Sequence, residues 1–186
     1  MNTLHAPVLP LITFITGPDE LARHNFANAL ANLDISTQVH SFASPLRDGA
    51  LGTFFMGDPF IDIGAKQEEK IAGSARTFGE FLSAYHTFLQ NFFPNTPILG
   101  ALLGNAIADN LDFFAYFIIE DATPDFKADA RYLVDRFSAP ECLLVQLSPL
   151  EGNAGCVTSN RVRTHIVLPG VSPQDFLQNL QQESAT

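Results

Sequence analysis

The stretch Val8-Leu9-Pro10-Leu11-Ile12-Thr13-Phe14-Ile15, followed by Thr16-Gly17-Pro18-Asp19, decides the fold class. Its first eight residues are a short, continuous apolar run rich in β-branched and aromatic side chains. A parallel strand covered on both faces has that character. Thr16 to Asp19 is a turn cluster, and beyond it Leu21, Asn25, Ala29 and Leu33 recur at helical spacing. Strand, tight turn and helix open an α/β domain.

Working outward, Asp34 and Ser36 end that helix, and Thr37 to Phe42 reads as a second strand. Arg76 to Asn91 carries Phe78, Phe81, Leu82, Tyr85, Phe88 and Leu89 as a helical apolar stripe. Pro94 to Pro97 stops it, and Ile98 to Leu111 is a second apolar helix interrupted by Gly100 and Gly104. Phe113 to Ile119 is a buried strand ending in Glu120-Asp121, with a helix after it from about Asp125 to Phe137. Glu141 to Leu147 is a further strand, Gly152 to Arg163 a polar loop, and Thr164 to Leu168 a last strand. Ser172-Pro173-Gln174-Asp175 has the N-cap, first-turn proline and early acid that open a terminal helix. The expectation is one domain over residues 1–186: a three-layer α/β fold, a mostly parallel sheet of about five strands, and helices on both faces.

Composition narrows the function classes. The 186 residues are 46% apolar and 16% charged, which excludes bulk disorder and allows a real core. No apolar run is long enough to cross a bilayer, and no Lys or Arg precedes the first apolar stretch as a secretory leader requires. Cys142 and Cys156 make no disulfide framework and lack metal-ligand spacing, so a reducing cytoplasm is the expected compartment and no metal site is assigned. Ten cations against twenty acids give a net charge of −10, which excludes general nucleic-acid binding. Seventeen Phe and no Trp point either to self-association, as a homodimer, or to a Phe-rich core.

The turn after the first strand occupies the position of a phosphate-binding loop, G-x-x-x-x-G-K-[ST]. Here it reads Gly17-Pro18-Asp19-Glu20-Leu21-Ala22-Arg23-His24. Ala22 replaces the second glycine and resists positive φ. Arg23 brings a flat fork where the motif has a point charge, and His24 replaces the hydroxyl with a poor magnesium ligand. Asp19 and Glu20 add negative charge where a triphosphate belongs.

Further segments follow in a recognisable order: Ser41-Phe42-Ala43-Ser44-Pro45-Leu46-Arg47, Arg76-Thr77-Phe78-Gly79-Glu80-Phe81-Leu82, Phe93 to Leu102, Phe117 to Asp121 with Ala128 to Arg131, and Ser159-Asn160-Arg161 with Arg163. From about Leu11 to Leu180 the chain resembles the phage-type deoxynucleoside monophosphate kinases of the P-loop kinase superfamily. The resemblance implies a helical acceptor region inserted over residues 48–112, and ATP with Mg2+ as phosphoryl donor. It also implies transfer to a deoxynucleoside monophosphate in the cytoplasm of a phage-infected or prophage-carrying host. Arg23 and Asp121 are the catalytic candidates it carries over, with Gly17, Arg47, Arg76, Arg161 and Arg163 as substrate-binding ones.

Each candidate has a plainer reading: Asp121 as a strand-end carboxylate capping the next helix, Arg47 and Arg76 as surface cations, Arg161 and Arg163 as solubilising residues instead of a lid. Phe54, Phe55 and Phe60 either sandwich a base or pack the insertion. Phosphoryl transfer is mostly electrostatic, and the family's cations are missing at the loop lysine, Gly79, Ala101 and Thr123. The expectation is a degenerate relative that keeps a nucleotide or other phosphate-containing ligand and has weakened or lost transfer. The alternatives are an active kinase using Arg23, and a nucleotide-free interaction module.

Overall fold

The structure is a computed structural model that describes residues 9–54, 71, 75–94, 96–137, 142–147 and 160–184. Strand β1 (Ile12–Thr16) is buried along its whole length, as its unbroken apolar run requires. It leads to helix α1 (Glu20–Ala31), strand β2 (Thr37–His40) and helix α2 (Ser44–Phe54). Helices α3 (Phe78–Phe92) and α4 (Ile98–Asn110) precede strand β3 (Tyr116–Ile119). A short 3-10 turn (Pro124–Phe126) runs into helix α5 (Lys127–Phe137), and strands β4 (Cys142–Leu147) and β5 (Val162–Val167) lead to helix α6 (Pro173–Ser184).

The five strands form one all-parallel sheet in the order β2-β3-β1-β4-β5. Period-two alternation splits each strand between two cores. Ile12, Phe14, Phe117, Ile119, Cys142 and Leu144 pack toward α2, α4 and α5. Ile15, Ile118, Leu143, Val145 and Val167 pack toward Phe26 and Leu30 of α1 and toward Phe176, Leu177 and Leu180 of α6. This is the expected three-layer α/β arrangement. Among the described residues no helix is long and apolar enough to cross a membrane.

Local chemistry explains the helix starts. Thr77 and Glu80 form a capping box on α3: the Glu80 amide donates to Thr77 Oγ1 at 3.2 Å and the Thr77 amide donates to Glu80 Oε2 at 2.8 Å. Ser172 caps α6, accepting the Asp175 amide at 3.1 Å. The two glycines of α4 serve packing. A Cβ at Gly100 would lie 2.6 Å from the Asp129 carbonyl oxygen of α5, and one at Gly104 would meet the Arg136 side chain at 3.0 Å.

Three expectations shift. The last strand runs Val162–Val167, starting two residues earlier than its apolar pattern. The strand before Glu120 begins at Tyr116, because Leu111 to Phe113 turn out of α4. The aromatic stripe of α3 is largely outside the described core. Only Phe78 of α3 is buried, while Tyr85, Phe88 and Phe92 are exposed and stack in sequence at 5.4–6.4 Å. Helices cover part of residues 48–112; Phe55 and Phe60, and the side chain of Phe54, lie outside what is described.

Gly100→Ala forces a side chain against backbone, so it is expected to destabilise by about 2 kcal/mol, lowering Tm by roughly 4–8 °C in a chain of this size. Thermal denaturation followed by circular dichroism checks this. Gly49 is exposed, and a Cβ added there would have no heavy atom within 4 Å. Gly49→Ala is therefore the control, with no loss of stability expected.

Candidate functional site

Ligands of open α/β sheets bind beyond the carboxyl ends of the strands, where connections diverge. Here β1 is central, with the chain leaving it toward β2 on one side while β4 leads to β5 on the other. Gly17 stands at that point. Helix α1 begins at Glu20, so only Gly17, Pro18 and Asp19 separate it from β1. The residues in register with the motif's second glycine, lysine and hydroxyl are therefore inside the helix. Gly17 itself does not take positive φ; among the described glycines only Gly170 does.

Three contacts close the turn. Asp19 is the N-cap, its Oδ1 accepting the Ala22 amide at 3.2 Å; a carboxylate thus holds the helix terminus that a phosphate would use. Arg23 is 9% exposed and folds inward. Its guanidinium donates to the Gly17 carbonyl and, through Nε at 3.1 Å, to the Glu120 carbonyl. One cation thereby ties the end of β1 to the end of β3. Finally, a Cβ at Gly17 would lie 3.0 Å from the Leu147 carbonyl oxygen, so the glycine is needed for close approach to β4.

His24 is engaged as well. Asn28 Nδ2 can only donate, so His24 Nε2 accepts it at 3.0 Å and Nδ1–H donates to Glu120 Oε2 at 2.8 Å. Asp121 lies beside this group, and both its carboxylate oxygens accept the Phe42 amide, at 2.9 and 3.1 Å. Burial pushes its carboxyl up to about 6, opposed by the Phe42 hydrogen bond and by Arg23, and reinforced by Glu120. Asp121 therefore ties β3 to the β2–α2 turn. It caps no following helix: Thr123 precedes the 3-10 turn without a side-chain bond.

ATP and Mg2+ do not fit these residues. The anion position holds Asp19, the loop cation is bonded to carbonyls, and the candidate magnesium acid accepts a backbone amide. Among the described residues no group of three or more His, Cys, Asp or Glu is placed to hold a metal. A cavity of about 240 Å3 does lie beside the turn, between Gly17, Phe26, Leu147, Val167 and Pro169, and its walls are mainly apolar.

The lid expectation is also corrected. Arg163 pairs with Leu143 in the row of Thr13, and Arg161 precedes the first paired residue of β5. At about 3.3 Å per residue this sets Arg163 roughly 10 Å below the top row, and Arg161 lower still. Both belong to the opposite end of the strands from Gly17.

The two remaining candidate cations, Arg47 and Arg76, lie near each other across the sheet. Arg47, on α2, lines a second cavity of about 300 Å3 with Gly79, Ser83, His86, Leu99 and Phe126. Its guanidinium donates to Ser44 Oγ at 3.1 Å. Arg76 lines an adjoining groove that shares Gly79 and Ser83 with this cavity. Sequence reasoning does not single out His86 or Glu120 as a partner in either site. For His86 the available signal is its place three residues after Ser83 on one face of α3.

No family model matches the chain, and no curated protein matches it.

Asp121 offers a pH test. Its folded-state pKa of about 6 exceeds the ordinary 3.8, so the folded protein binds this proton more tightly. Its contribution is full below pH 4 and is lost as pH rises through 6, a penalty of about 3 kcal/mol at pH 7. Asp121→Asn keeps an acceptor for the Phe42 amide. Chemical denaturation across pH 4–7 should show the variant losing the wild type's decline and matching or exceeding its stability at pH 7.

Proposed function

We propose that this chain is a non-phosphorylating relative of the nucleotide kinases that binds a nucleoside monophosphate in the cavity beside Arg47. The observation that carries the reading is the inward fold of Arg23 onto the Gly17 and Glu120 carbonyls beneath an Asp19-capped helix. Phosphoryl transfer needs cations free to meet charge that develops on the moving group. The donor side has spent its cation and carries a carboxylate instead, whereas the acceptor side keeps Arg47, with Arg76 next to it. The resemblance makes the ligand a deoxynucleoside monophosphate and the setting a phage-infected or prophage-carrying cytoplasm. The bonds of Arg23 disfavour the active-kinase reading, in which this side chain would have to leave two carbonyls to reach a phosphate.

A second reading is a protein-contact module acting as a homodimer, supported by the exposed rings of Tyr85, Phe88, Phe92 and Phe93. Ligand binding separates the two, because only a nucleotide binder gains stability from nucleotide.

A coupled ADP-release assay with ATP, Mg2+ and each common deoxynucleoside monophosphate is expected to show no turnover above background. In thermal shift, a monophosphate should raise Tm and ATP·Mg2+ should not. Turnover of about 1 s⁻¹, within the kinase range, that vanishes in Arg23→Ala would overturn the reading. Arg23→Met should itself cost about 1.5–3 kcal/mol of stability, as expected for lost bonds from a charged donor to buried carbonyls. An active-site lysine surrogate would show no such cost.

A further inference from the structure

We infer that His86 supplies the second basic group of the Arg47 cavity, contacting the phosphoryl oxygens of a bound monophosphate where Gly79 leaves no side chain. The inference rests on the reading of this cavity as a monophosphate site.

Two nitrogens in this part of the molecule are buried and have no hydrogen-bond partner among the described residues: Arg47 Nε and His86 Nε2. Both side chains line the same cavity. Buried polar atoms are nearly always satisfied, so an orphaned guanidinium donor and an orphaned imidazole nitrogen on one cavity point to a ligand that bonds to both. A phosphomonoester presents several oxygens, and Arg and imidazole nitrogens both serve as donors to it.

The surroundings fit that assignment. The His86 ring stacks on Phe126 with centroids 5.8 Å apart at 23°, and Phe126 stacks in turn on Phe42 at 5.1 Å. The ring plane is thus held against packed aromatics. Asp129 of α5 lies close enough to His86 for their charges to attract, while its carboxylate accepts the Gly100 amide at 2.7 Å and its pKa is raised by burial. Ser83, nearly one turn earlier on α3, adds a hydroxyl to the same wall. Gly79, also on the wall, contributes no side chain, and the space it leaves is what a phosphoryl group would occupy.

The test is calorimetric titration of the full chain with a deoxynucleoside monophosphate, with the matching deoxynucleoside, and with inorganic phosphate. Two variants are used: His86→Gln, which keeps polarity without charge, and His86→Phe, which keeps the stack on Phe126. Both should melt within a few degrees of wild type. Monophosphate affinity is expected to fall about tenfold in His86→Gln and further in His86→Phe, with deoxynucleoside affinity unchanged in both. In the wild type, addition of inorganic phosphate should shift the His86 imidazole nitrogen resonances. Monophosphate binding that persists undiminished in His86→Phe overturns the inference and leaves the monophosphate reading standing. A wild type that binds no monophosphate overturns both.

Discussion

The hydrogen bonds of the Arg23 guanidinium to the carbonyls of Gly17 and Glu120 are the contact on which the site depends. They join the ends of β1 and β3, neighbours at the centre of the sheet, just where the chain leaves the core. Gly17 O and Glu120 O point the negative ends of their dipoles at one buried cation. A phosphate oxygen brought to the same place would face those carbonyls and the Asp19 carboxylate. The protein's own groups thus satisfy the charge that a phosphate loop keeps in reserve. Satisfaction and catalytic readiness are alternatives here, because preorganised donors must remain free until the reacting charge arrives.

The turn after β1 and the Arg47 cavity then separate in character. At the turn after β1, the ionic groups are bonded within the protein: Asp19 to a backbone amide, His24 to Glu120 and Asn28, Arg23 to carbonyls. On the face of α2, α4 and α5, Arg47 and His86 retain unpartnered buried nitrogens beside open volume. Asp121 stands between the two, its carboxylate bonded to the amide of Phe42, whose ring packs on Phe126 in the wall of the second cavity.

Much of the fold is legible in the sequence because burial on both faces leaves few choices. The runs at Ile12–Thr16 and Cys142–Leu147 are largely apolar and could be little else. Ser172-Pro173 announces α6 through its cap chemistry. Helix α2 is hidden, since Gly49 and Gly52 lower its propensity and tertiary packing of Leu46 against the core overrides them. The start of β5 is hidden too, because Val162 and Arg163 continue the polar loop in the sequence pattern of an edge strand. The site is less legible. The partners of Arg23 are carbonyls, one of them 97 residues away, and no side-chain pattern encodes a bond to a backbone oxygen. Part of the family-like segment at Arg76 to Leu82 also has a local cause, since Thr77 and Glu80 form a capping box whatever the protein does.

The central claim is that the acceptor side binds while the donor side is closed. A bisubstrate molecule that joins a deoxynucleoside monophosphate to adenosine through a phosphate chain addresses both sides at once. In an open kinase site the second half binds at high effective concentration, tightening the complex by about 10²–10⁴. Competition calorimetry of that molecule against the plain monophosphate should give equal or weaker affinity for the joined ligand. Tightening by about a hundredfold or more would contradict the claim.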